Sequence, residues 1–97
     1  MPQYKVLLTQ TARNDLAQIE RYYCSDAFYA FYAKRTIKRI LMKCQGLKIF
    51  PEMNPRYHIY PKYRMAKSGK YLILFSVNKA QRTVYINKIF YSKKKLA

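Results

Sequence analysis

"YRMAKSGKYLILFSVNKAQRTVYINKIFY", Tyr63 to Tyr91, reads as three strands separated by two turns. Its middle strand, YLILFSV, is apolar at every position from Leu72 to Phe75. A strand with water on one side alternates apolar and polar residues, so an unbroken run predicts a strand covered on both faces at the centre of a sheet. Ser68-Gly69-Lys70 turns the chain before it, and NKAQR, Asn78 to Arg82, turns it after. Connections this short make the three strands an antiparallel meander. Lys62, Arg64, Lys67 and Lys70 crowd the approach to the central strand. So much positive charge leading straight into a core asks what anion meets it.

Working outward, FPEMNP at Phe50 to Pro55 is a loop, because Pro51 and Pro55 block regular structure. YHIY and KYRMA, on either side of Pro61, are short candidate strands. Further upstream, Ala30, Ala33, Ile37, Ile40, Leu41 and Cys44 recur at helical spacing. Lys34, Arg35, Lys38, Arg39 and Lys43 hold the other face of that helix, and Gly46 stands near its end. Ser25 or Asp26 can cap its start. An earlier helix, TARNDLAQIERYY, has Ala12, Leu16, Ile19 and Tyr23 on one face, with Thr9 or Thr11 as cap. YKVLL, Tyr4 to Leu8, is a first strand, and SKKKLA from Ser92 is a basic tail. The expected order is β-α-α-β-β-β, an α+β sandwich of two layers: two N-terminal helices packed on a small, mainly antiparallel sheet. The 97 residues are expected to form one domain, with no repeat.

The totals narrow the function. Twenty Lys and Arg face four Asp and Glu, a formal net charge of +16. Self-repulsion of that size calls for an anionic partner: nucleic acid, an acidic protein or an anionic membrane surface. No apolar run is long enough to span a membrane, and the start lacks a secretory apolar core, so a cytoplasmic chain with no membrane partner is expected. Cys24 and Cys44 fit ordinary thiols. Two cysteines and one histidine make no ligand cluster, so neither metal nor cofactor is expected.

YKVLLTQTARNDLAQIERYY, IFPEMNPRY and YRMAKSGKYLILFSVNKAQRTVYINKIFYSKK, in this order and spacing, resemble the RelE/ParE superfamily, the toxin half of bacterial type II toxin–antitoxin pairs. The most telling piece is Leu-Thr-x-x-Ala-x-x-Asp-Leu from Leu8 to Leu16, and the Tyr-Arg…Gly-x-Tyr strand pair follows it. The resemblance implies two helices backing a small sheet, and a cognate acidic antitoxin laid across the toxin through a helix and an extended segment. It also implies one of two activities. RelE-like toxins cleave mRNA on the ribosome as metal-independent endoribonucleases. ParE-like toxins inhibit DNA gyrase without nuclease chemistry. A basic nucleic-acid-binding protein with no toxin role is a third, weaker reading.

RNA cleavage without metal needs a base for the 2′-hydroxyl, an acid for the leaving oxygen, and cations for the phosphorane. In the RelE-like pattern a Lys-x-Lys pair precedes the Ser-Gly turn, and Lys62 and Arg64 stand there, two apart and so on one strand face. Arg64 suits phosphate and cannot act as base. Tyr91, near a position where relatives carry histidine, is the candidate acid or base-stacking group. Lys67, Lys70, Tyr71, Lys88 and Lys93 complete the expected substrate-binding set. Tyr71 and Ser92, with Lys93 beside it, stand where the pattern has arginines. His58 and Glu52 are lesser candidates, since a lone histidine or surface glutamate is more often a solvated side chain. The same holds for the cation stripe of the second helix, whose functional reading is contact with an RNA backbone. The concentration of cations tips the reading to the ribosome and its mRNA, with gyrase as the alternative.

Overall fold

A computed structural model describes residues 3–23 and 27–93. Cys24, both candidate caps Ser25 and Asp26, and the tail from residue 94 onward lie outside the described residues. The elements are β1 (Lys5–Leu8), α1 (Gln10–Tyr23), α2 (Ala27–Gly46), a 3-10 turn (Pro51–Met53), β2 (Arg64–Ser68), β3 (Tyr71–Asn78) and β4 (Thr83–Tyr91). They follow the expected order, two helices on a four-stranded sheet. The strands lie in the order β1-β4-β3-β2. β2, β3 and β4 form the antiparallel meander, and β1 adds to β4 in parallel.

Both faces of β3 are covered, as its unbroken apolar run demands. Ile73 and Phe75 face the helices with Ala66, Val84, Ile86 and Ile89, meeting Ala12, Ile40, Cys44 and Leu47. Leu72 and Leu74 face the other way, with Phe90, under Tyr57 and Tyr63 from the segment before β2. Burying each large apolar side chain stabilises the fold by roughly 1.5–3 kcal/mol. Of the apolar stripe expected on α2, Ala33, Ile40 and Cys44 are buried, while Leu41 lies exposed at its margin.

β4 carries a bulge. Leu74 pairs with Lys88 and Phe75 with Ile86, leaving Asn87 as an extra residue. The bulge reverses the alternation, so that Ile86 and Ile89, three apart, both face the helices. Asn87 is held there by its own side chain: Nδ2 donates to Ser76 Oγ at 3.0 Å and to the Tyr85 carbonyl at 2.9 Å.

YHIY is not a strand. Pro61 cannot donate a ladder bond, and the segment closes on itself. Tyr63 N–H donates to the Tyr60 carbonyl at 2.9 Å, and Tyr57 N–H to the Tyr63 carbonyl at 2.8 Å. β2 consequently starts at Arg64, and Lys62 lies in the preceding turn rather than on the strand.

β1 reaches only Ile86, so the outer edge of β4 needs another cover beyond it. The opening Leu-Thr-x-x-Ala-x-x-Asp-Leu supplies it. Thr9, not Thr11, caps α1: Ala12 N–H donates to Thr9 Oγ1 at 3.2 Å, and that hydroxyl donates to the Ile86 carbonyl at 3.0 Å. Ala12, fully buried, lets the helix approach the sheet. Asp15 Oδ2 accepts the Ile89 N–H at 2.9 Å, replacing the missing strand partner.

Candidate functional site

Where α1 ends over the tips of β3 and β4, four tyrosines converge. Tyr71 and Tyr91 are directly opposed in the sheet, their rings 5.9 Å apart and edge to face. Tyr23 brings its hydroxyl to 3.4 Å from that of Tyr71, and Tyr22 meets Tyr23 edge-on at 5.2 Å. These rings line a cavity of about 480 Å³, which Lys70 and Lys88 also border and Asp15 and Gln18 reach from α1. Ser92 N–H donates to the Lys70 carbonyl at 2.7 Å, tying the end of β4 to the β2–β3 turn. Burial, and then the hydrogen bond with Tyr23, push the Tyr71 phenol well above its ordinary value. It is therefore neutral at physiological pH, a hydrogen-bonding group rather than an anion. Aromatic faces can stack a flat ring, and a lysine at the margin, as Lys70 is here, can hold an attached negative charge.

Of the expected site residues, Lys70, Tyr71 and Tyr91 come together here, while Lys88 borders the cavity but, paired with Leu74, turns its side chain to the opposite face of the sheet. Lys93 follows in the turn after β4, exposed. Lys67 points from β2 to the face opposite the helices, level with Leu72. Arg64 donates from Nη1 to the Asn54 carbonyl at 2.8 Å, bracing the loop before β2. Lys62 rests its ammonium 5.1 Å from the centre of the Tyr63 ring. Arg64 stands opposite Phe75 and Tyr91 opposite Tyr71, four residues apart along β3. At 3.2–3.4 Å per residue that is about 13 Å along the sheet, besides the width of the intervening strand. His58 is exposed in the loop before β2, beside Tyr57. Glu52 pairs with Lys79 at 3.1 Å.

Tyr22 has no place in the site expected from sequence, and Tyr23 is expected there only as helix packing, yet both line the cavity. The signal was the Tyr22-Tyr23 doublet in the last turn of α1, where consecutive side chains diverge by about 100° and cannot both face the core. Among the described residues no group of three His, Cys, Asp or Glu gathers to hold a metal ion, and no helix is long and apolar enough to cross a membrane.

This fold recurs in solved toxin–antitoxin complexes. The chromosomal ParDE system of P. aeruginosa superposes with a TM-score of 0.81 at 17% identity, over 96% of this chain and 100% of the other. The RelBE2 complex of Mycobacterium tuberculosis gives 0.71 at 21% identity, over 94% and 93%. The archaeal RelE–RelB complex of Pyrococcus horikoshii gives 0.61 at 16% identity, over 96% and 99%. At these identities the likeness is one of fold alone. The family model described as the ParE toxin of the type II toxin–antitoxin system, parDE, matches residues 6–96, and the chain belongs to that family, a type II toxin of the RelE/ParE superfamily. No curated protein matches the chain at a significant level.

Proposed function

We propose that this toxin acts by binding its target, DNA gyrase, rather than by cutting mRNA, and that an acidic antitoxin neutralises it. The separation of the candidate base, phosphate cation and acid carries this reading. Lys62 lies in a turn, Arg64 is engaged by the Asn54 carbonyl, and Tyr91 sits about 13 Å farther along the sheet. In-line cleavage needs these groups around one phosphate, within hydrogen-bond reach of its oxygens. A toxin that works by surface complementarity needs no such set. The match to the ParE toxin family supports the same choice. A toxin with this target would act in the cytoplasm.

A ribosome-dependent ribonuclease is the second reading. Its support is that Lys70, Tyr71 and Tyr91 do share one cavity. The two part in a paired assay with purified toxin. Inhibited gyrase supercoiling with intact message in a translating extract is the expected result. Ribosome-bound message cut by wild type and spared by Lys70→Ala with Tyr91→Phe, with supercoiling unaffected, would overturn it. Adding the antitoxin encoded beside the toxin is expected to relieve either activity.

A further inference from the structure

α2 exposes two faces of different chemistry. One holds Ile37, Leu41 and Met42 between Lys34 and Lys38, an apolar groove of about 540 Å³. The other is polar: Tyr32, Arg35, Thr36 and Arg39 line a notch of about 230 Å³. Lys43 continues that strip, so Arg35, Arg39 and Lys43 follow one another at intervals of four residues. Each interval is a rise of about 6 Å along the helix, close to the spacing of successive phosphates on one nucleic-acid strand. α2 contains no Asp or Glu. Among the described residues neither arginine has a carboxylate partner: Asp15 is engaged by Ile89, Glu20 borders the apolar groove, and Glu52 pairs with Lys79.

We propose that the Tyr32-Arg35-Thr36-Arg39 strip, with Lys43, is a binding site for the phosphate backbone of duplex nucleic acid. The guanidinium forks fit phosphate oxygens two at a time, and the two hydroxyls add donors of the kind that fix a protein on a backbone. An acidic protein is the weaker fit. Protein interfaces have an apolar centre, which the neighbouring groove possesses and this strip lacks. The contact carries no base-reading group, so it is indifferent to sequence. It goes beyond the gyrase reading: a toxin whose target is a nucleoprotein gains a second foothold on the nucleic acid, and either contact can fail without the other.

The test is the binding of full-length toxin to a fluorescent 20-base-pair DNA, read by anisotropy as salt is varied. Three phosphate contacts on the strip add about 2.7 to the steepness of log affinity against log salt, at about 0.9 per contact. Arg35→Gln with Arg39→Gln is expected to lower that slope by about 1.8 and to weaken binding roughly tenfold at 150 mM salt, where charges beyond about 8 Å are screened. Lys34→Gln with Lys38→Gln removes the same charge from the other face and is expected to change both much less. Unchanged melting curves certify that both variants fold. Duplex RNA in place of DNA identifies the source of the phosphates, and binding of either supports the site. Equal losses in the two double variants overturn it. So does displacement of the DNA by polyglutamate as effectively as by unlabelled duplex of equal charge, which would assign the strip to an acidic protein.

Discussion

Phe50 holds a left-handed backbone, φ 46° and ψ 52°, at the start of the Pro51–Met53 turn, with its ring more than half exposed. A bulky residue there costs about 1–2 kcal/mol, and asparagine tolerates the region far better. Phe50→Asn is expected to raise stability by about 0.5–1 kcal/mol in urea unfolding. A loss instead would mean that the ring's contacts outweigh the strain. Cys44 and Tyr71 predict the alkaline limb. Burial lifts the Cys44 thiol to about 11, and Tyr71 is raised for the same reason. Both groups are neutral when protonated, so their contribution is full below their unfolded-state values and is lost as pH rises through the folded ones. Stability should hold to about pH 9, then fall by up to about 1.4 kcal/mol per unit in the Cys44 window and less steeply in that of Tyr71, whose partial exposure lets solvent screen much of the penalty. Cys44→Ala should flatten the first part of the decline and Tyr71→Phe the part above about pH 10. A decline unaltered in both variants would remove the buried thiol and phenol as its cause. Tyr71 also shows what a residue's letter conceals. A tyrosine in a strand was legible, but its hydroxyl partner on α1, 48 positions away, was not.

At the scale of elements, the start of α1 does two jobs with one turn of chain. Thr9 caps the helix and closes the Ile86 carbonyl, while Asp15 satisfies the N–H at Ile89. Thr9→Ala should cost about 1–2 kcal/mol and Thr9→Ser much less, because the serine hydroxyl keeps the cap. Asp15→Ala should cost about 1–3 kcal/mol by stranding a buried N–H, with Asp15→Asn recovering part through its amide oxygen. Equal effects of alanine and asparagine in urea unfolding would show that the acceptor is not what matters. The order of elements was readable because each segment keeps its own period: 3.6 residues over Ala12 to Tyr23, none over Leu72 to Phe75. Three features were not. The parallel seat of β1 on β4 joins residues almost eighty apart, and nothing local announces it. The bulge at Asn87 hides in a strand whose alternation reverses halfway. YHIY has strand composition, yet backbone bonds within the segment fold it into a loop. That last difference removed Lys62 from the strand, and the shared face expected for Lys62 and Arg64 went with it.

Charge governs the whole molecule. Against a net +16, the described residues contain a single ion pair, Lys79 with Glu52. Cations on α2, in the β2–β3 turn and beyond β4 repel one another in the folded chain and less in the expanded one, so folding works against electrostatics. Screening should therefore stabilise the protein. Between 10 and 150 mM salt the screening length falls from about 30 to about 8 Å, shorter than most separations between these charges. The melting temperature is expected to rise over that range by several degrees, since 1 kcal/mol moves a domain of this size by about 4–8 °C. It should change little above it. A bound anion should do more than salt, because it adds attraction to screening and stabilises only the state that binds it. At 10 mM salt, a few micromolar duplex DNA should raise the melting temperature further, and the Arg35→Gln, Arg39→Gln protein should lose most of that increment while keeping the response to salt. A melting temperature that falls between 10 and 150 mM salt would mean that attractive pairs dominate the folded state, and the repulsion argument would fail with it.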